Sequence, residues 1–183
     1  MKGMILITNN FEDVEAIATV DVLRRAGLEV DYVSIDDDLE KHTQSYLPIK
    51  CDRIISNINL NSYDFLIIPG GKAVMSDLRD REDVENIIHD FAKRDKLVAT
   101  ICAAPYLVLK LGYLDGGKFT CYPGCDLGLT GAKKVNKGVV RYKNFITGKA
   151  MAYSIDFALE IVDYLLGKKE KEVVESSIHG IIK

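Results

Sequence analysis

The sequence contains no apolar run that approaches the roughly 20 residues a helix needs to cross a membrane. Its first residues, MKGMILITNN, lead directly into a predicted strand, without the apolar segment and small-residue cleavage site of a secretory signal. These absences predict a cytoplasmic protein with no membrane partner.

Neither sign of charge is in large excess. The chain has 24 Lys and Arg residues against 27 Asp and Glu, and they are interspersed, which gives a net charge of −3. Because a nucleic-acid-binding surface needs clustered positive charge, we expect no nucleic-acid partner.

Cysteine is also scarce, and the four residues are Cys51, Cys102, Cys121 and Cys125. Their spacing is not typical of a disulfide framework, so in a reducing compartment we expect free thiols. Cys121 and Cys125 could in principle hold a metal ion together. The three histidines lie far from them in the sequence and no CxxC motif is present, so no metal site is predicted.

The 183 residues are 48% hydrophobic, which is enough to build one domain, 1–183, with a substantial core. Apolar strands alternate with amphipathic helices along the chain. The predicted strands are Lys2–Thr8, Glu29–Ile35, Phe65–Pro69 and Leu97–Ile101. This alternation predicts an α/β fold, a flavodoxin-like three-layer sandwich whose mostly parallel sheet has helices on both faces.

Other elements are less regular. Asp36–Asn61 predicts a hairpin-like excursion from the sheet, Phe119–Tyr122 a short strand, and Val139–Thr147 a hairpin turning near residues 143–144. The first helix, over Val14–Ala26, has Val14 and Ile17 among its packing residues, and Asp80 is expected to cap a later helix. A last short helix is predicted over Glu170–Ile182.

The segment Leu97–Pro105, LVATICAAP, is the centre of the functional prediction. An apolar strand is followed at once by small residues and a helix, so Cys102 lies at a sharp strand-to-helix corner. The helix N-terminus stabilises an anion, and we therefore expect the pKa of the Cys102 thiol to be lowered. The alternative is an inert cysteine packed in the core.

Ligands bind at the carboxyl edge of such sheets, where three loops are expected to converge. They are Asn9–Glu15, Pro69–Lys72 and the corner at Cys102. Glu15 stands in the first turn of a helix, where its carboxylate alternatively does no more than interact with the helix dipole. If Glu15 reaches Cys102, its pKa rises and the neutral carboxyl can donate a proton.

Several segments resemble the ThiJ/PfpI superfamily, specifically the branch of the Parkinson-disease-associated deglycase and its bacterial relatives. They are ILITNNFEDVEAIATVDVLRRAGLEV, FLIIPGG, VATICAAP, KFTCYP and SIDFALEIVDYLLGK. The resemblance implies that Cys102 is the reactive, easily oxidised cysteine and that Glu15 is the protonated carboxyl bonded to it. It further implies an oxyanion pocket at the glycine pair Gly70 and Gly71, made by the backbone N–H groups of Gly71 and Ala103.

Two further positions match the superfamily less closely. Cys51 and Arg53 resemble residues near its dimer interface and active-site mouth, although a packed cysteine and a solvated arginine are the alternative. Elsewhere the chain departs from it. Tyr122 replaces a histidine, Ala103 replaces the histidine of the protease-like branch, and Gly148–Tyr153 replaces a Gly/Pro-rich loop. Without a histidine base, peptidase activity is not expected.

The resemblance implies a cofactor-independent enzyme that acts on reactive carbonyls. The expected reaction is glutathione-independent conversion of methylglyoxal to lactate, or removal of early glycation adducts, so the partner is a small aldehyde or a glycated molecule. A homodimer is also implied. The alternative is a non-enzymatic redox sensor or oxidative-stress chaperone that is switched by oxidation of Cys102.

Overall fold

The computed structural model describes residues 1–181. In these residues the strands, in chain order β1 to β11, are Lys2–Ile7, Glu29–Ser34, Glu40–His42, Pro48–Lys50, Arg53–Ile54, Phe65–Ile68, Leu97–Ile101, Lys118–Phe119, Lys133–Lys134, Val139–Tyr142 and Phe145–Gly148. The α-helices, α1 to α6, are Asp13–Arg25, Lys72–Ser76, Glu82–Lys93, Pro105–Lys110, Ser154–Leu166 and Lys168–Ile178.

Seven strands form the main sheet, in the order β10-β11-β7-β6-β1-β2-β5. All neighbouring pairs are parallel except β10 and β11, which form the edge hairpin. The hairpin turns at residues 143–144, as predicted. Strands β1, β6 and β7 lie side by side at the centre, so the loops that follow them emerge together at one edge of the sheet.

The central strands are buried on both faces. In β6, Phe65 and Ile67 pack into one hydrophobic cluster, while Leu66 and Ile68 pack into the other. Helices α1 and α5 cover the first face, and α3 and α4 cover the second. This arrangement confirms the predicted three-layer α/β sandwich, in which strands with no polar face need helices on both sides.

Two predictions about the helices are corrected by the structure. Val14 and Ile17 in α1 are 43% and 41% exposed, because the buried face of this helix is formed by residues such as Ala16 and Val20. The last helix runs over Lys168–Ile178, earlier than predicted, and packs against α5. Ile182, the predicted end of this helix, lies outside the described residues.

The excursion over residues 36–61 is partly as predicted. Its strands β3 and β4 pair with each other as a separate antiparallel hairpin, and β5 joins the edge of the main sheet. The strand predicted over Phe119–Tyr122 is instead Lys118–Phe119, so only Phe119 of the predicted residues lies in a strand. Asp80 ends a short 3-10 helix instead of capping α3, whose cap residue is Arg81. Within residues 1–181, no helix is long and apolar enough to span a membrane.

Candidate active site

Cys102 stands directly after β7 and has a φ of 64°, in the left-handed region that few non-glycine residues adopt. Its N–H donates to the carbonyl of Gly148 at 2.9 Å, and its own carbonyl accepts from the N–H of Tyr122 at 2.7 Å. These two hydrogen bonds hold the strained corner from both sides. The half-buried thiol is thereby fixed at the sheet edge.

Glu15, in the first turn of α1, is 0% exposed and its carboxyl reaches the same corner. Its Oε2 accepts the N–H of Gly70 at 2.8 Å, and the carboxyl hydrogen-bonds the Cys102 thiol. Its buried Oε1 has no hydrogen-bond partner among residues 1–181. A buried polar oxygen without a partner is costly, so this atom is available to a group that enters the site.

The glycine pair is required by the close packing of this corner. A Cβ on Gly70 would lie 2.6 Å from the Cβ of Cys102 and 2.6 Å from Oε2 of Glu15. Gly71 has a φ of +100°, and a Cβ there would lie 2.6 Å from the backbone oxygen of Asn10. Only residues without side chains let β6 end this close to Glu15 and Cys102.

Burial raises the pKa of the Glu15 carboxyl to about 7, although the N–H of Gly70 opposes this effect. The direction is the predicted one, but its cause is burial, whereas the hydrogen bond with Cys102 lowers the pKa of Glu15. For Cys102 the direction is opposite to the prediction. Burial and the negative charge of Glu15 raise the pKa of the thiol, while the N–H groups of Gly71 and Ala103 hydrogen-bond the sulfur and lower it.

The physical reason is that the two acidic groups share one desolvated corner, where a second negative charge is strongly disfavoured. The helix that follows Cys102, α4, has only six residues, so its dipole offsets little of that cost. The Glu15–Cys102 pair therefore carries at most one negative charge near neutral pH. The N–H of Gly70 faces that charge when it is on the carboxylate, and the N–H groups of Gly71 and Ala103 face it when it is on the sulfur.

The site opens into a cavity of about 600 Å³. Besides the residues of the corner, its lining includes the polar side chains of Glu12, Gln44 and Lys72. The rest of the wall is mainly apolar, and it contains Met75, Tyr122, Cys125, Ala150, Met151 and Ala152. The cavity therefore suits a small ligand with an apolar portion.

Sequence reasoning did not single out Glu12, Gln44, Lys72 or Met75. Glu12 and Lys72 lie within two of the three loops that were expected to converge, and this position could have indicated them. Gln44 comes from the loop between β3 and β4, hydrogen-bonds Glu12 through its amide, and accepts the N–H of Lys72 at 3.3 Å. No local pattern could have indicated that contact.

The remaining predicted positions separate into two groups. Tyr122 lines the cavity and is 50% exposed. Arg53 does not line it; this exposed residue lies in a different groove, beside Asp52 and Tyr63. Cys51 is buried in the core, and burial raises the pKa of its thiol to about 11.

Among residues 1–181, no group of three or more His, Cys, Asp or Glu side chains is placed to hold a metal ion.

The sequence pattern of the DJ-1/PfpI family matches residues 1–164. This chain belongs to the DJ-1/PfpI family. Protein DJ-1 homolog B of Arabidopsis thaliana is 30% identical over 168 residues, which are 91% of this chain and 38% of the plant protein. Deglycase PfpI of Pyrococcus furiosus is 31% identical over 151 residues, 81% of this chain and 90% of that protein.

Solved structures of DJ-1 proteins share the fold. An oxidized form of Toxoplasma gondii DJ-1 has a TM-score of 0.86 at 27% identity, covering 97% of both chains. Drosophila melanogaster DJ-1beta has a TM-score of 0.89 at 26% identity, covering 97% of this chain and 96% of the fly protein. The DJ-1/PfpI fold therefore extends over almost all of the chain.

Proposed function

We propose that this DJ-1/PfpI protein is a cysteine-dependent enzyme that needs no cofactor and converts small 2-oxoaldehydes, such as methylglyoxal, to 2-hydroxy acids. The observation that carries the proposal is the Glu15 carboxyl, with a pKa of about 7, hydrogen-bonded to the Cys102 thiol at the end of an apolar cavity. A group that gains and loses a proton near neutral pH is suited to acid–base catalysis.

In the first step, the sulfur of Cys102 forms a bond with the aldehyde carbon. The carbonyl π electrons move to oxygen, and the N–H groups of Gly71 and Ala103 stabilise the resulting charge. The thiol proton passes to this oxygen through Glu15, and the product is a neutral hemithioacetal. The unpartnered Oε1 of Glu15 is the atom available for this proton transfer.

In the second step, Glu15 removes the proton from the carbon bonded to sulfur. The electrons move into an enediolate, and Glu15 returns a proton to the neighbouring carbon. The result is a thioester of the 2-hydroxy acid. Water then hydrolyses the C–S bond and regenerates the Cys102 thiol, so the net reaction adds one water to the substrate.

The same hemithioacetal chemistry would act on early glycation adducts. The protein named deglycase from Pyrococcus furiosus supports that extension. Peptide hydrolysis is not proposed, because the Glu15 carboxyl is mainly protonated below pH 7 and no histidine belongs to the cavity lining in the described part of the chain.

Lactate formation from methylglyoxal by the purified protein tests the proposal. We expect turnover by the wild type and its loss in Cys102→Ser. Cys51→Ala is the matched control, since it removes a thiol that lies in the core outside the cavity. Equal turnover by the wild type and Cys102→Ser would contradict the proposal.

A second candidate function is redox sensing by Cys102 without turnover. It is supported by the oxidized state of the related Toxoplasma gondii DJ-1 structure. It is also supported by Oε1 of Glu15, which could donate a hydrogen bond to an oxygen added to the sulfur. A protein that oxidises readily at Cys102 but forms no lactate would favour this candidate over the enzyme.

We further propose that the protein acts in the cytoplasm as a homodimer. The exposed face of α1 carries Val14 and Ile17 one helical turn apart, next to the polar residue Asp21. Two large apolar side chains on one exposed helix face are suited to a two-fold contact with a second copy of the chain.

A further inference from the structure

Two of the four cysteines line the cavity. They are Cys102 and Cys125, and both are half-buried. Cys121 does not line it; this residue is buried, and its thiol donates to the carbonyl of Tyr122 at 3.3 Å. The fourth, Cys51, does not line the cavity. Two half-buried cysteines therefore belong to the wall of the same cavity.

Backbone hydrogen bonds connect the segments that carry these two thiols. The N–H of Tyr122 donates to the carbonyl of Cys102 at 2.7 Å, and the N–H of Cys125 donates to the carbonyl of Tyr122 at 3.1 Å. A tight turn is thereby closed against the strained corner. Gly124, with a φ of +83°, is the residue that lets the chain turn just before Cys125.

The surroundings of Cys125 include a positive charge. The Nζ of Lys134 lies 2.9 Å from Oδ1 of Asp126, the residue that follows Cys125. Burial raises the pKa of the Cys125 thiol, the Lys134 ammonium lowers it, and the negative charge of Asp126 raises it. The Lys134 ammonium therefore offsets part of the cost of forming the Cys125 thiolate, which is the form that attacks an oxidised sulfur.

We propose that Cys125 is the resolving thiol for oxidised Cys102, so that peroxide closes a reversible disulfide between them across the cavity. In the first step, the Cys102 sulfur attacks hydrogen peroxide, the O–O bond breaks, and one water leaves. Cys102 is oxidised by two electrons to the sulfenic acid, and the peroxide is reduced. The Cys125 thiol releases its proton and attacks this sulfur as the thiolate, the S–O bond breaks, and the hydroxyl group takes up that proton and leaves as a second water.

The disulfide would protect the site against irreversible oxidation. A sulfenic acid with no neighbouring thiol reacts with a second peroxide and becomes a sulfinic acid, which a simple dithiol does not reduce. Capture by Cys125 prevents that step. A dithiol reductant then restores both thiols, and the cavity becomes available to substrate again.

Peptide mapping after treatment with one equivalent of hydrogen peroxide tests the proposal. Trypsin separates Cys102, in residues 97–110, from Cys121 and Cys125, in residues 119–133. We expect the two peptides to be cross-linked in the wild type and separated again by dithiothreitol. In Cys121→Ser the cross-link should persist. In Cys125→Ser it should be lost, and the Cys102 peptide should gain two oxygen atoms at least about tenfold more often than in the wild type.

Two results would overturn the inference. One is accumulation of the sulfinic acid in the wild type without a cross-link. The other is a cross-link that survives Cys125→Ser, which would assign the resolving role to Cys121. The inference rests on the reactive Cys102 of the proposed function, and the two fail separately. Methylglyoxal turnover that requires Cys102, together with no cross-link, would reject only the resolving role of Cys125.

Discussion

The buried carboxyl of Glu15 makes the stability of the fold depend on pH. Its pKa is about 7 in the folded protein, against an ordinary value of 4.5. Because the folded pKa is the higher one, the folded state keeps a proton that the unfolded chain has released. The free energy of unfolding therefore falls as pH rises from 4.5 through about 7, and it stays lower above that range.

The expected size follows from the gap between these two pKa values. At about 1.4 kcal/mol per pKa unit, the gap corresponds to a loss of about 3 kcal/mol. Glu15→Gln keeps the shape of the side chain and removes its titration. Between about pH 4 and about pH 8, the wild type should therefore lose about 3 kcal/mol more unfolding free energy than the variant.

Urea denaturation of both proteins at the two pH values measures this difference. Glu29→Gln is the matched control for the change in net charge, because Glu29 is an exposed carboxylate at the start of β2. The reasoning is refuted if the wild type and Glu15→Gln differ in unfolding free energy by the same amount at both pH values.

Three further outcomes are expected. Tyr122→Phe should change kcat/KM for methylglyoxal by less than about twofold, while Glu15→Gln should lower it by about a hundredfold or more. Similar losses of kcat/KM in both variants would show that the Tyr122 phenol takes part in proton transfer. Gly70→Ala should lower kcat/KM by more than about tenfold, since the Cβ of the alanine would lie 2.6 Å from the Cβ of Cys102. Full activity of this variant would show that the corner tolerates a side chain at residue 70. Sedimentation should show a dimer for the wild type and a 20.4 kDa species for Ile17→Asp; a wild-type monomer at micromolar concentration would count against the dimer.

Most of the central sheet could be predicted from local patterns. The residues of β6 and β7 are apolar at every position or nearly so, and a strand of that kind is stable only with a helix layer on each face. The hairpin β10–β11 was predictable because residues 143–144 interrupt two β-prone runs. The exposure of Val14 and Ile17 was not predictable, because the apolar character of a side chain does not by itself show whether its face of the helix is buried in this fold.

The site was predictable only in part. The strand-to-helix corner at Cys102 and the glycine pair were visible in the sequence, and the likeness to a known superfamily connected them with Glu15. The contributions of Gln44 and Cys125 were not visible, because these residues reach the cavity from loops that are distant in the sequence from Cys102 and Glu15. Met75 lies in α2, and no local pattern indicated that its side chain lines the cavity.

The sequence by itself determined where the groups of the candidate site occur along the chain, since the corner at Cys102, the glycine pair and the helix start at Glu15 each follow from neighbouring residues. The tertiary structure alone decided their acidity. The pKa of the Cys102 thiol is raised instead of lowered, because segments far apart in the chain enclose it together with Glu15 and exclude water. Desolvation and the interaction between two acids depend on distances across the fold, which no local pattern of residues contains.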